Sequence, residues 1–456
     1  MNGAARSALE RFVVAPSRVQ VEQRLLELTH LAAYAYTQVD PGHPQRDALL
    51  PAFLTATTAH ETATAAVTPL LRAWRAAGVE ALAFKGFALA LSAYDHPGQR
   101  FYQDLDLLIR PRYAETAERV ARELGWSVRW SAARAGNAYA HEALHLLSPD
   151  GRLMLDVHRL ILHSYAPWQQ RLRRLTEAAW AGSAQLPLGD TSVHVLDPRD
   201  AVLMGLVLNR AWSTDAWRLK PRDYVDFRVV VEQHGVTKAA LVGRARELRC
   251  ELTLARFLQR CDPFEGRIDL RTPTRAQRLR WSLAVARERR PYWLDHALNL
   301  PLIAPGVIRD TLRELPGLLR VLRLLRREPD LSRLLARLVP DTGPALPLAE
   351  RRRYRVVRGV RWGLKLLRVQ PEGDCVPRSL AVFARLRRLG AQAMFVSGVR
   401  QSRAGLHGHA WVELDGEVLP ELNEPLGVTY VPNVRFPPDR ADAVSSSGAP
   451  SLGRRR

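Results

Sequence analysis

The sequence predicts an α+β fold in two parts: a mixed sheet carrying a helical subdomain, then a smaller α+β domain. Three stretches carry that expectation. Residues 79–94 read as an apolar strand, a tight Lys85-Gly86 turn and a helix, and strand-like runs follow at 104–109 and 153–158. From Asp197 to about residue 300, apolar residues recur at helical spacing. Finally, a helix opening near Cys375 is succeeded by F-V-S-G-V-R (395–400) and H-A-W-V-E-L (409–414), both strand-like.

Composition narrows the class. A chain of 456 residues, 47% of them hydrophobic, can bury two or three ordinary cores. The net charge of +21 is almost wholly arginine, since Lys85, Lys220, Lys238 and Lys365 are the only lysines. Such charge suits acidic partners of any kind. No zinc-finger, RNA-recognition or homeodomain pattern accompanies it, so no specific nucleic-acid binding is expected. Three cysteines are too few for a disulfide framework and point to a reducing, cytoplasmic setting. No apolar run is long enough to span a bilayer, which leaves peripheral membrane contact as the kind to consider.

Residues 1–77 read as helical, with one helix from Val19 to Tyr36 and another from Thr55 to Ala77 that Pro69 should kink or split. After the strand at 79–84, a glycine in the turn lets backbone N–H groups approach a phosphate, and Lys85 adds a point charge. In R-F-Y-Q-D-L-D-L-L-I (100–109), Asp104 and Asp106 lie two apart on a strand and so face one site. Paired carboxylates of this kind hold Mg²⁺ bridged to nucleotide phosphates. The hairpin at 145–158, turning at Asp150-Gly151, offers Asp156 as a third carboxylate.

Through L-A-F-K-G-F-A-L-A (82–90), Tyr94, Pro97, Arg100, D-L-D-L-L-I (104–109) and L-D-V-H (155–158), about residues 20–235 resemble the uncharacterised nucleotidyltransferases of the polymerase-β-like superfamily. The resemblance implies Asp104, Asp106 and Asp156 as Mg²⁺ ligands, with Lys85, Gly86 and Arg100 near the triphosphate of a nucleoside triphosphate. It also implies a catalytic core with N-terminal helices in residues 1–190, covered by a helical subdomain in residues 191–305.

Within that subdomain Asp197-Pro198 is a good helix start. Lys220, Arg222, Asp223 and Asp226 read as a solvated charged face, or else Lys220 and Arg222 contact the acceptor. Residues 306–350 read as a basic amphipathic linker, broken at Pro316-Gly317 and Pro329, that packs on the following domain. That domain spans 351–434. Residues 435–456, rich in Pro, Ser and Gly, read as a disordered tail.

In the C-terminal domain, Leu380, Phe383, Leu386 and Leu389 recur at helical spacing after Pro377, which places Cys375 at a helix N-terminus. Unpaired N–H groups and the helix dipole favour a thiolate there, the nucleophilic form of cysteine. His409 opens a strand that turns at Asp415-Gly416 and returns as E-V-L-P-E-L. A third residue should orient the imidazole. Asp415 lies about 20 Å along a regular strand from His409. A three-residue turn pairs His409 with Glu421 and a two-residue turn pairs it with Leu422, so Glu421 is the first candidate and Asn423 the second.

These residues, with R-S-L-A and L-R-R-L-G after Cys375, G-V-R (398–400) and H-A-W-V-E-L-D-G (409–416), resemble the transglutaminase-like cysteine peptidases that remove leader peptides in lasso-peptide biosynthesis. The resemblance implies a transglutaminase-like, papain-like α+β fold and a triad of Cys375, His409 and an acid at or near Glu421, with no cofactor for this domain. It implies as partners a precursor peptide, a small leader-recognition protein and a lasso cyclase. The expected whole is a two-enzyme fusion. The alternative is a nucleotidyltransferase acting on a small molecule, protein or nucleic acid, with a C-terminal domain that only binds peptide.

Overall fold

The computed structural model of the chain describes residues 3–16, 21–135, 140–164, 169–213, 216–290, 292–338, 348–369, 374–402, 405–414, 417–419 and 430–437. The chain forms two compact units, residues 1–133 with 137–299 and residues 300–456 with 134–136, each with its own apolar core.

The first unit is built on a seven-stranded mixed sheet of β1 (Ala81–Phe84), β2 (Leu105–Ile109), β3 (Ser127–Ser131), β4 (Glu142–Leu147), β5 (Met154–His158), β6 (Ala184–Leu188) and β7 (Thr191–Val195). The strands lie in the order β3-β4-β5-β2-β1-β7-β6. β2 runs parallel to β5 and β1 parallel to β7, while β1 and β2 are antiparallel. β7 carries the sheet past residue 190, so the expected boundary there falls inside the β6–β7 hairpin.

The middle strands are buried throughout, as near-continuous apolar runs require when both faces are covered. Successive side chains go to opposite faces. Ala81 and Ala83 join a cluster with Leu70 and Trp74, while Leu82 and Phe84 join a second one with Leu203 and Phe227.

Two helical expectations are corrected. The stretch expected as one helix from Val19 forms two, Gln23–Leu28 and Ala32–Gln38, separated at His30, whose φ is +57°. Conversely, Pro69 lies inside a single helix, Arg46–Ala76. Ala63, Val67, Leu70, Leu71 and Trp74 are buried on both sides of the proline. Their burial outweighs a proline cost of about 3 kcal/mol.

In the helical part, the Asp197 side chain accepts from Arg199 N–H, and Ala201–Leu208 continues as a wide π-helical run. Helices Pro221–Gln233, Lys238–Glu247, Glu251–Leu258 and Arg275–Ala284 follow, with a small ribbon of β8 (Cys261–Asp262) and β9 (Arg267–Ile268) among them. Asp223 and Asp226, expected on a solvated face, are buried at 2% and 7% exposure. Arg210 and Arg100 neutralise them, which is what allows acidic side chains inside.

The second unit's core draws on four helices. Helix Tyr292–Arg327 runs unbroken through Pro316 and ends before Pro329. Its Leu318 and Val321 meet Leu334 and Leu338 of helix Leu331–Leu338, Val360 of helix Glu350–Leu366 and Phe383 of helix Cys375–Arg388. Much of the segment expected as a linker is thus core of this unit. Ion pairs Arg358–Asp310 and Arg385–Glu314 fasten the helices.

Strands β10 (Ala393–Ser402), β11 (Gly405–Leu414), β12 (Glu417–Val418) and β13 (Val431–Phe436) form an antiparallel sheet in the order β12-β11-β10-β13. Glu413 pairs with Val418 and Leu414 with Glu417, the register of a two-residue turn and not of the three-residue turn expected first. β13 continues past residue 434, where the domain was expected to end. Asp415, Glu421 and Asn423 lie outside the described residues, as do 438–456. No helix among the described residues is long and apolar enough to cross a membrane.

Candidate active sites

The sheet places the first cluster. β1 ends at Phe84, and Lys85 starts helix Lys85–Ser92 with φ +58°. That left-handed backbone costs a non-glycine residue of order 1 kcal/mol or more, a strain often found at functional turns. It sets the Lys85 ammonium on the carboxylate of Asp106 in β2. His158 Nε2, at the end of β5, lies 2.9 Å from the same oxygen. Parallel pairing puts Asp156 directly opposite Asp106, and Asp104 stands one residue before β2.

Burial alone would raise Asp106, but Lys85 and His158 outweigh it and bring it down to about 2. Asp156 is pushed up to about 7 by burial and by Asp106, Glu142 and Asp104, against the pull of His145. Asp104 is raised by burial and by Asp106. Burial likewise opposes the Lys85 ammonium, yet Asp106 keeps its pKa above the ordinary lysine value. In two of the three carboxylates burial and neighbouring carboxylates thus outweigh the nearby positive groups. Carboxylate oxygens are hard donors of the kind that hold Mg²⁺, but among the described residues the ligand atoms gathered within 4.8 Å of one another belong to His141, Glu142 and His158 and not to these three aspartates.

Lys85, Asp104 and Asp106 line a pocket of about 400 Å³, whose walls also include Arg100, Tyr102, Lys220 and Arg222. Arg100 donates to Asp226 through Nε and Nη2 at 2.6 and 2.9 Å, and Tyr94 Oη donates to the same carboxylate at 2.6 Å. Arg210 grips Asp223 with two 2.8 Å bonds. Gly86 has a packing reason as well: a Cβ there would stand 2.7 Å from Tyr102 Cβ.

Sequence reasoning set His158 beside Asp156 in L-D-V-H but missed His141, His145 and His163. His145 Nε2 lies 2.9 Å from Glu142, and the His141 and His163 rings lie with centroids 4.1 Å apart, tilted by 51°. Four of the chain's thirteen histidines fall between residues 141 and 163, a density that could have marked the place.

The second cluster lies in the C-terminal unit. Cys375 is the first residue of helix Cys375–Arg388, and His409 sits in β11 opposite Gly398 of β10. Ser379 Oγ donates to the Ala410 carbonyl at 2.8 Å and ties helix to strand. Cys375 and His409 are hydrogen-bonded. That bond is the largest influence on the thiol and lowers its pKa against burial, helped by the Ala410 N–H and Arg378. Trp411 stacks beside His409, and the Tyr430 ring lies 5.1 Å from it. Gly398 leaves room for this group: a Cβ would meet the Val431 carbonyl at 2.8 Å and the Trp411 ring at 2.9 Å.

No curated protein matches the chain. Among solved structures, an antigenic nucleotidyltransferase-like protein from Paracoccidioides brasiliensis is similar over 46% of this chain and 94% of its own, at 14% identity and a TM-score of 0.30. Residues 317–432 match the transglutaminase-like superfamily. Residues 21–264, more than half of the chain, match the family described as uncharacterised nucleotidyltransferase, and the chain belongs to that family, with a transglutaminase-like domain after it.

Proposed function

We propose that the chain matures a ribosomally made peptide of the lasso type, acting as a cysteine peptidase that removes the precursor's leader. The same chain transfers a nucleotidyl group from a nucleoside triphosphate. The hydrogen-bonded pair of Cys375 and His409, with its lowered thiol pKa, is the observation that carries the reading.

In this account His409 takes the thiol proton as Cys375 attacks the scissile carbonyl. His409 then returns the proton to the leaving amine, forming a thioester that water hydrolyses. Backbone N–H groups in the first turn of helix Cys375–Arg388 are suited to the oxyanion. Glu421 or Asn423 would hold the imidazole.

In the nucleotidyltransferase domain, Asp104, Asp106 and Asp156 would hold Mg²⁺, which supplies charge neutralisation at the phosphates when bound. Lys85 holds Asp106 in place and carries positive charge at the pocket wall, while Arg222 and Lys220 lie on the wall suited to an acceptor. A small leader-recognition protein would present the precursor and a lasso cyclase would act on the product.

The test incubates precursor peptide with the chain, its leader-recognition partner, ATP and Mg²⁺, followed by mass spectrometry. Loss of the leader with wild type but not with Cys375→Ala supports the peptidase. A nucleotidyl mass that disappears in Asp104→Ala/Asp106→Ala supports the transferase. A precursor left intact and unmodified throughout refutes the reading.

A further inference from the structure

The hairpin of β4 and β5 gathers a second set of ligands beside the aspartates. Among the described residues, the His, Cys, Asp and Glu ligand atoms that lie within 4.8 Å of one another belong to His141, Glu142 and His158. Antiparallel pairing sets Glu142 directly across from His158. His141 precedes Glu142, and its carbonyl accepts from the Arg159 and Leu160 N–H groups. His141 Nε2 and Glu142 Oε1 are 3.2 Å apart. That is close to the edge of a tetrahedron with metal bonds of about 2.0–2.1 Å.

The surroundings are those of a ligand set. A histidine that binds metal through one nitrogen ordinarily gives the other to a carboxylate. His158, only 2% exposed, engages Asp106 through Nε2 at 2.9 Å, and its buried Nδ1 has no hydrogen-bond partner. His145 steadies the other Glu142 oxygen at 2.9 Å. The His163 ring, tilted against His141 with centroids 4.1 Å apart, also borders the pocket.

We propose that His141, Glu142 and His158 bind a transition-metal dication of the zinc class, separate from the hard-cation site of Asp104, Asp106 and Asp156. Imidazole donors select zinc-like ions over Mg²⁺, which takes oxygen. His158 and Asp106 join the two sites. A zinc-class ion therefore fixes His158 and, through it, the orientation of Asp106, a positioning role.

The experiment uses the full chain stripped with chelator and carrying Cys375→Ser, so that the reactive thiol cannot bind zinc. It is titrated with Zn²⁺ alone by calorimetry, and retained metal is measured after desalting. One equivalent should bind to this background and to its Asp104→Asn derivative. His141→Gln and Glu142→Gln should bind at least roughly tenfold more weakly. Circular dichroism without metal checks that the variants fold. Should they not fold, Co²⁺ bound to the background protein still decides the matter: visible d–d bands of a nitrogen and oxygen site are expected. No stoichiometric zinc, equal binding in folded His141→Gln and Glu142→Gln, or a Co²⁺ spectrum without those bands would overturn the proposal.

Discussion

Asp106 and Asp156 face each other across neighbouring parallel strands, yet one carboxyl is held at about 2 and the other at about 7. The division follows from their partners. Lys85 and His158 both lie on Asp106, whereas Asp156 has the more distant His145 at 4.0 Å.

A pH signature follows. Because Asp156 keeps its proton to higher pH in the folded state, its contribution to stability is present below the unfolded value of 3.8 and lost as pH rises towards about 7. His158 and His163, pushed down by burial to about 4 and about 3, work in the opposite direction. Comparing wild type with Asp156→Asn removes that background. In EDTA, the stability of Asp156→Asn relative to wild type should grow between about pH 4 and 7, by a few kcal/mol at most. Mg²⁺ should stabilise wild type at pH 7 and the variant much less. Thermal melts across pH check both, and a difference independent of pH would count against the charge assignment.

The Arg100–Asp226 pair should pin the helix Pro221–Gln233 to the pocket. Asp226→Asn leaves a buried guanidinium without its counter-charge and should cost about 3–5 kcal/mol. Tyr94→Phe removes one hydrogen bond to Asp226 and should cost about 1 kcal/mol. Chemical denaturation measures both, and near-equal losses would mean that the ion pair is not the main fastening.

Gly398→Ala should disturb the C-terminal site without touching Cys375. Its Cβ collides with the Val431 carbonyl and the Trp411 ring, which stacks beside His409. A loss of about 1–3 kcal/mol is expected. Alkylation of Cys375 should slow at neutral pH. Unchanged reactivity would show that Trp411 does not position His409.

The sequence was most readable where local pattern and final environment agree. The apolar run of β2 with Asp106, the Lys85 turn and the helix at Cys375 all follow from short-range periodicity. Pro69 and Pro316 misled because burial of the surrounding helix faces is a tertiary effect. Asp223 and Asp226 read as surface because nothing local announces burial, and Arg100 lies 126 residues from Asp226. The histidine cluster forms only when β4 pairs with β5, which brings Glu142 to His158. The register of β11 and β12 rests on a single residue of turn length, and alternating sequence leaves that choice open.

The most direct measurement is the pH profile of Cys375 alkylation by iodoacetamide in wild type and His409→Ala, read by mass spectrometry of the peptide containing Cys375. Cys250 and Cys261 are buried, which limits competing label. The account predicts that wild-type Cys375 reacts well below the ordinary thiol pKa of about 8.5, and that His409→Ala moves the profile upward. A wild-type profile like that of an ordinary thiol, or one unchanged by loss of His409, would contradict it.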